Sequence, residues 1–268
     1  MNRYRGFTLV ELLVAMVIGL LILGAVGAVY ITGKRTYKAR DAASRMQETG
    51  RIALRQLARG ISQAGFPRDD GVAPVLVGGN PVVDLDPLGI AVSSDDPGGT
   101  ISGDVVTVHR LSIPDDPVYG DRDCWGQPTR SPGHVVHSYF VEKGVLKCRG
   151  SGNPSAQPIV DGVENMQVRY GVKSGNALQY FNATALNAPD RVESIEIALL
   201  VTGGESVDAA YQERMFQLLD QPVKTPQDVA KNHPELNRLG GRGKLQRLGK
   251  MSYQIFRATI PLRNKMDF

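Results

Sequence analysis

The sequence predicts an α+β fold in which one long N-terminal helix packs on an antiparallel β-sheet. Two observations support the helix. Residues 7–33 carry a single charged side chain, Glu11, and residues 46–64 repeat apolar side chains every three or four positions. A third observation supports the sheet, because apolar and polar residues alternate in several later segments, between stretches rich in glycine and proline.

The first segment, residues 7–33, is long enough to cross a bilayer as a helix, which takes about 20 residues. It follows a short basic leader, residues 1–6, which contains Arg3 and Arg5. No A-x-A-like site follows the apolar run, so an ordinary secretory signal does not fit. A charge near the start of a membrane helix costs roughly 2.5–3.5 kcal/mol on insertion scales, which makes Glu11 a functional candidate.

The helix is expected to continue through an amphipathic half, residues 34–65. Arg51, Arg55 and Arg59 lie opposite its apolar face, and the following Gly65-Phe66-Pro67 ends the pattern. One helix over residues 7–64 would be about 87 Å long at 1.5 Å per residue. The apolar face consists of Met46, Gly50, Leu54, Leu57, Ile61 and Ala64.

The rest of the chain, residues 66–268, is predicted to form a β-rich domain. Residues 66–103 and 114–133 are interpreted mainly as loops, with short strands near residues 75–77 and 90–92. A helix is predicted over Glu205–Leu219, and the polar stretch Pro222–Gly249 is interpreted as an insertion. The main predicted strands are residues 104–111, 134–142, 145–148, 166–172, 195–201 and 253–262.

The heptapeptide Gly6-Phe7-Thr8-Leu9-Val10-Glu11-Leu12 resembles the processing site of type IV prepilins and related pseudopilins. The resemblance implies that a prepilin peptidase cuts between Gly6 and Phe7 and that the new amine of Phe7 is N-methylated. It also implies that Glu11 is needed for assembly, where it pairs with the Phe7 amine of a neighbouring subunit.

Three further segments, residues 61–66, 163–172 and 256–264, resemble the minor pilins called PilW. This resemblance implies a pilin-like fold and a structural role in priming type IV pilus assembly, at or near the pilus tip. The implied partners are other minor pilins, the major pilin and a large tip adhesin. The implied location is the inner membrane with a periplasmic domain before assembly, and the pilus afterwards.

The distribution of charge disagrees with that orientation. Lys34, Arg35, Lys38 and Arg40 follow the apolar segment, so the positive-inside rule alone would place its C-terminal side in the cytoplasm. The processing motif needs its leader in the cytoplasm, and we therefore follow the motif. The formal net charge is +4 and falls to +2 without the two leader arginines, which is too small to argue for nucleic-acid binding.

The chain has two cysteines, Cys124 and Cys148. In an oxidising periplasm they are expected to form a disulfide, which closes a loop of about 25 residues and contributes about 3 kcal/mol by the chain-entropy model. A zinc site of both cysteines with His134 and His137 is the alternative. We disfavour it because two histidines three apart on a strand face opposite sides.

No other cofactor site is predicted. The acidic pairs Asp95-Asp96 and Asp115-Asp116, and Asp121 with Asp123, could bind calcium through clustered oxygens, although none follows an EF-hand pattern, so calcium binding stays open. The segment 240–244 lacks the glycine and the Ser/Thr of a phosphate loop. Neither a Ser-His-Asp arrangement nor a pair of catalytic carboxylates is apparent, so no enzyme is predicted and no catalytic residue is named.

Three other functions stay open. A pseudopilin of a type II secretion system would share the leader motif and the helix. A DNA-uptake pilin would use the basic residues of segment 238–250 to bind phosphates. A signal-anchored envelope protein would never enter a filament.

Overall fold

The first element of the fold is one long helix, α1 (Leu9–Ile61), of 53 residues. At 1.5 Å per residue it is about 80 Å long. Thr8 caps its N-terminus, and a turn over residues 62–65 follows its last residue. The computed structural model describes residues 8–65, 75–76, 101–111, 122–128, 134–175, 177–186, 192–205 and 212–262.

The second half of α1 packs on the rest of the molecule through one face. Arg51, Arg55 and Arg59 are exposed on the other face, which confirms the predicted amphipathic pattern. Apolar side chains at helical spacing remove one face from water, and this burial stabilises the docking of the helix. The buried residues of the helix are Ala42, Met46, Gly50, Ala53, Leu57 and Ile61.

The described part of the chain contains eleven strands in three antiparallel sheets. One sheet has the order β1-β2-β3-β4-β5, a second has the order β11-β8-β6-β7, and β9 and β10 form a hairpin. The strands are β1 (Val75–Leu76), β2 (Val106–Leu111), β3 (His134–Glu142), β4 (Val145–Gly150), β5 (Asn153–Asp161), β6 (Val163–Ser174), β7 (Ala177–Phe181), β8 (Val192–Glu205), β9 (Arg214–Leu218), β10 (Gln221–Thr225) and β11 (Met251–Pro261).

The main core lies where α1 meets the two larger sheets. Leu57 and Ile61 of the helix share it with Tyr139 and Leu146 of the five-stranded sheet and with Leu199 of the four-stranded sheet. The helix contacts β8 and β11 most extensively and also reaches β5. The α+β prediction, a long N-terminal helix on antiparallel sheet, is therefore confirmed.

Strand β8 is buried on both faces, which sequence alternation alone did not show. Ile197 and Leu199 point into the main core, as predicted, whereas Ala198 and Leu200 enter a second apolar cluster. That cluster is completed by residues of the β9–β10 hairpin and the segment after it, including Leu218 and Val223. The Pro222–Gly249 stretch therefore covers a sheet face and is part of the core structure.

One prediction of secondary structure needs correction, and the 222–249 segment has defined elements that the sequence did not predict. The helix over Glu205–Leu219 is wrong, because β8 extends to Glu205 and residues 214–218 form β9. Strand β9 alternates exposed Met215 with partly buried Phe216 and buried Leu218, and this two-residue period suits a hairpin. The segment 222–249 contains, besides β10, two 3-10 helices (Ala230–Asn232 and Pro234–Leu239) and α2 (Gly240–Leu248). The strand predicted at residues 90–92 lies outside the described residues.

Candidate functional site

The first half of α1 presents an apolar surface that the rest of the described chain does not cover. Every large apolar side chain from Leu9 to Ile31 is more than half exposed. This helix is long and apolar enough to cross a membrane, judged by length and composition. Exposed apolar area of this extent marks a surface that is covered by lipid or by another protein.

Glu11, the charged residue of this surface, is held at the start of the helix by Thr8. The Thr8 hydroxyl oxygen accepts a hydrogen bond from the Glu11 backbone N–H at 3.3 Å. In return, Glu11 Oε2 accepts from the Thr8 backbone N–H at 3.0 Å and from its hydroxyl at 3.1 Å. This is a capping box, and its negative charge also lies at the favourable end of the helix dipole.

Sequence reasoning missed the role of Thr8, although the spacing Ser/Thr-x-x-Glu before an apolar run is its signal. Gly6 and Phe7, the predicted cleavage and methylation residues, lie outside the described residues. The structure therefore places Glu11 in the first turn of the helix, four residues after Phe7, where the predicted new N-terminus would begin.

Glycines fix the position of α1 on the sheets. A Cβ atom at Gly50 would lie 2.6 Å from the ring of Phe256 on β11. A Cβ at Gly60 would overlap the Tyr139 hydroxyl, and a Cβ at Gly203 of β8 would overlap the Ala42 carbonyl. Real Cβ atoms essentially never come this close, so these three positions set how near the helix and the sheets can approach.

A disulfide joins Cys124 to Cys148 of β4, with their Cα atoms 6.6 Å apart. The short loop that carries Cys124 is ordered by Asp123, whose Oδ1 accepts from the backbone N–H groups of Trp125 and Gln127 at 2.9 Å each. Asp123 in turn packs against Gly150, where a Cβ would overlap it. The disulfide and this turn together hold the loop on the end of β4.

The arrangement does not provide the zinc site that we considered. Both candidate thiolates are consumed by the disulfide, and no group of three or more potential metal ligands occurs in the described ranges. His137 is buried, and burial together with the nearby charge of Arg110 lowers its pKa to about 3, so it is neutral. Asp95, Asp96, Asp115, Asp116 and Asp121, the calcium candidates, and the side chain of His134 fall outside the described part.

A buried polar network attaches the 222–249 segment to β6. The carboxylate of Glu164, fully removed from water, accepts from Asn232 Nδ2 at 2.8 Å and faces His233 Nε2 at 2.9 Å. His233 Nδ1 lies 2.9 Å from Glu235 Oε1, and the Ser102 hydroxyl donates to Asn232 Oδ1. No sequence signal pointed to Glu164 or His233, because their pairing joins residues 69 positions apart.

The imidazole of His233 therefore has a carboxylate at each ring nitrogen. Only the protonated ring can donate to both. Burial alone would lower the pKa of His233, but the hydrogen bonds and charges of Glu164 and Glu235 outweigh it and raise that pKa. The network therefore joins β6 to the 222–249 segment through ion pairs.

Comparisons with known proteins match two parts of the chain to family models. The model of the prokaryotic N-terminal methylation motif matches residues 1–27, and the model of the type IV pilus-assembly protein W family matches residues 137–264. A type IV-like pilin from Thermus thermophilus is similar at 17% identity with a TM-score of 0.44, covering 83% of this chain and 98% of its own. No curated protein matches this chain significantly.

The matched models define two parts of the chain: residues 1–27 carry a prokaryotic N-terminal methylation motif, and residues 137–264 resemble the type IV pilus-assembly protein W family. The second match falls on the family that the sequence resemblance indicated, and it includes the resembling segments 163–172 and 256–264. The motif and the apolar helix fit membrane anchoring before assembly into the pilus.

Proposed function

We propose that this protein is a minor pilin that primes type IV pilus assembly in the inner membrane and remains at or near the pilus tip, with no catalytic activity of its own. The observation that carries the proposal is the exposed apolar half of α1 on a chain whose second half matches the PilW family. Such a helix needs an apolar environment both before and after assembly, which a bilayer and then a core of packed helices provide.

In this proposal, cleavage between Gly6 and Phe7 releases the leader, and Phe7 is then N-methylated. Glu11 starts with its carboxylate bound by Thr8 of its own chain, and on assembly it exchanges this partner for the Phe7 amine of a neighbouring subunit. The exchange replaces a hydrogen-bonded lone charge by a charge pair, which is favoured where water is excluded. Other minor pilins, the major pilin and a large tip adhesin are the proposed partners.

Deletion of the gene tests the proposal when surface pili, twitching motility and secretion of enzymes to the medium are scored together. We expect few pili and no twitching with normal secretion, and recovery with the wild-type gene. Loss of secretion with normal pili would instead identify a pseudopilin of a type II secretion system.

Processing is tested in the same strains by mass spectrometry of the membrane-extracted protein. We expect an N-methylated Phe7 as the first residue. An intact Met1 in cells with an active prepilin peptidase would contradict the pilin function and favour a plain signal anchor.

A further inference from the structure

The four basic residues that follow the apolar half of α1, Lys34, Arg35, Lys38 and Arg40, form a surface that the proposed function leaves unexplained. We call them the basic band. They oppose the orientation that the processing motif requires, because cations on the exported side disfavour it. All four are exposed, and among the described residues none of the four takes part in an ion pair.

The position of the basic band corresponds to a membrane surface. It begins one residue after Gly33, where the apolar segment ends, and spans about 9 Å of helix axis at 1.5 Å per residue. Tyr30 and Tyr37 flank its first residues and are 69% and 73% exposed, although neither packs in the core. Exposed tyrosines beside basic residues at the end of an apolar helix are typical of the headgroup layer.

We propose that the basic band binds the headgroups of anionic phospholipids while the chain is anchored in the membrane. The inference rests on the membrane-anchored state of the proposed function. Tyr30, Lys34 and Lys38 are spaced four apart, so they line one side of the helix, with an aromatic ring below two ammonium groups. Downstream, Asp41 is already paired with Arg45 at 3.0 Å, which leaves the charge of the basic band uncompensated.

The partner chemistry follows from this geometry. A phosphate group in the headgroup layer lies at the depth of the basic band, and each nearby Lys or Arg strengthens the attraction by about fivefold at low salt. Lipid binding of this kind would hold the domain close to the membrane before assembly. It would have to be released when the helix leaves the bilayer.

The test uses the full chain reconstituted in phosphatidylcholine vesicles, with spin-labelled phosphatidylglycerol or phosphatidylcholine as the probe. We expect the motion-restricted lipid beside the wild-type protein to favour phosphatidylglycerol at least about fivefold at low salt and far less in 1 M salt, where the Debye length is about 3 Å. The triple variant Lys34→Gln/Arg35→Gln/Lys38→Gln, which keeps only Arg40 of the basic band, should show a clearly smaller preference than the wild type.

The matched control is Arg51→Gln/Arg55→Gln/Arg59→Gln, which removes the same charge from the exposed face of the same helix beyond the membrane. It should keep the wild-type preference. If both lipids associate equally with the wild-type chain, or if the control variant loses the preference for phosphatidylglycerol as the triple variant does, the lipid-binding inference is overturned. The proposed membrane anchor would be unaffected by either result. Failure of the wild-type chain to enter neutral vesicles would overturn both this inference and the proposed membrane anchor.

Discussion

In the proposed assembly mechanism Glu11 changes from one partner to another, and this determines what its substitution should do. Within its own chain the carboxylate completes the capping box with Thr8. Because this local bond already satisfies part of its hydrogen-bonding capacity, the residue is tolerated at the start of an apolar helix without another subunit.

Glu11→Val should leave membrane insertion and processing intact, since it removes a costly charge and leaves the cleavage site untouched. Few surface pili should form, because the neighbouring Phe7 amine loses its counter-charge. The measurement is complementation of a deletion strain, with pili counted beside the membrane level of processed protein.

Thr8→Ala is the matched control for that experiment. It breaks the capping box, at about 1 kcal/mol of helix stability, but keeps the carboxylate. Near-normal piliation is expected. If Thr8→Ala loses pili as severely as Glu11→Val, Glu11 serves the cap and not the contact between subunits.

His233 attaches the 222–249 segment to β6, and the stability of this attachment depends on pH. Its pKa is raised in the folded protein, so the native state holds a proton that the unfolded chain releases at lower pH. This contribution to stability is complete below the ordinary pKa of about 6.5 and is lost as the pH rises through the raised value. Urea unfolding from pH 7 to pH 9 should therefore show stability falling with pH.

His233→Gln should flatten that profile, because glutamine keeps a donor for Glu164 but does not titrate. His137 makes only a small contribution of opposite sign in this range, because its pKa is about 3 in the folded protein and its ordinary value of about 6.5 lies below pH 7. A wild-type profile that is flat, or that rises with pH, would contradict a protonated His233.

Among the structural elements, α1 is the one that the sequence predicted best. A long apolar run and a clear three-and-four spacing are strong signals, so the helix and its buried face could be predicted. The contacts of Gly60 with Tyr139 and of Gly50 with Phe256 could not, because a close approach between distant segments leaves no local pattern.

Some strands, unlike α1, could not be predicted from the sequence, and the reasons are physical. β5 contains Pro154 and Pro158 and lies at a sheet edge, where proline is tolerated but the sequence reads as a loop. β9 has a helix-like composition, and only its pairing with β10 determines that it is extended. The Glu164–His233 pair joins two segments whose proximity depends on the complete topology.

Gly60→Ala should destabilise the folded domain by about 1–3 kcal/mol, since the new methyl group meets the Tyr139 hydroxyl in a packed core. Gly33→Ala on the same helix is the control, because no atom outside the helix lies within 4 Å of its Cβ position. Denaturant titration of both variants measures the difference. Equal stability would show that the helix shifts freely on the sheets.

The disulfide is the other stabilising element with a measurable contribution. Replacing Cys124 and Cys148 by alanine should cost about 3 kcal/mol, because the unfolded chain regains the freedom of the loop between them. Chemical unfolding should give a similar, low free energy of unfolding for the reduced protein and the double variant. The oxidised protein should give a higher one. A reduced protein as stable as the oxidised one would contradict the expectation.

At the scale of the whole molecule, the two halves of α1 contribute to different properties. Residues 9–33 contribute nothing to the described core, whose first helical member is Ala42. A chain that starts at residue 34 should therefore keep its melting temperature within a few degrees while losing membrane association and pilus assembly. Thermal unfolding by circular dichroism and membrane fractionation measure the two effects, and a large fall in melting temperature would contradict the division.

The three glycine contacts between α1 and the sheets also have a mechanical consequence. Gly50, Gly60 and Gly203 allow the helix backbone and its neighbours to interlock at separate points along its length. A pull along the helix axis should therefore meet steric resistance at these three contacts. We expect tension applied to the N-terminal end to be transmitted through them into the sheets.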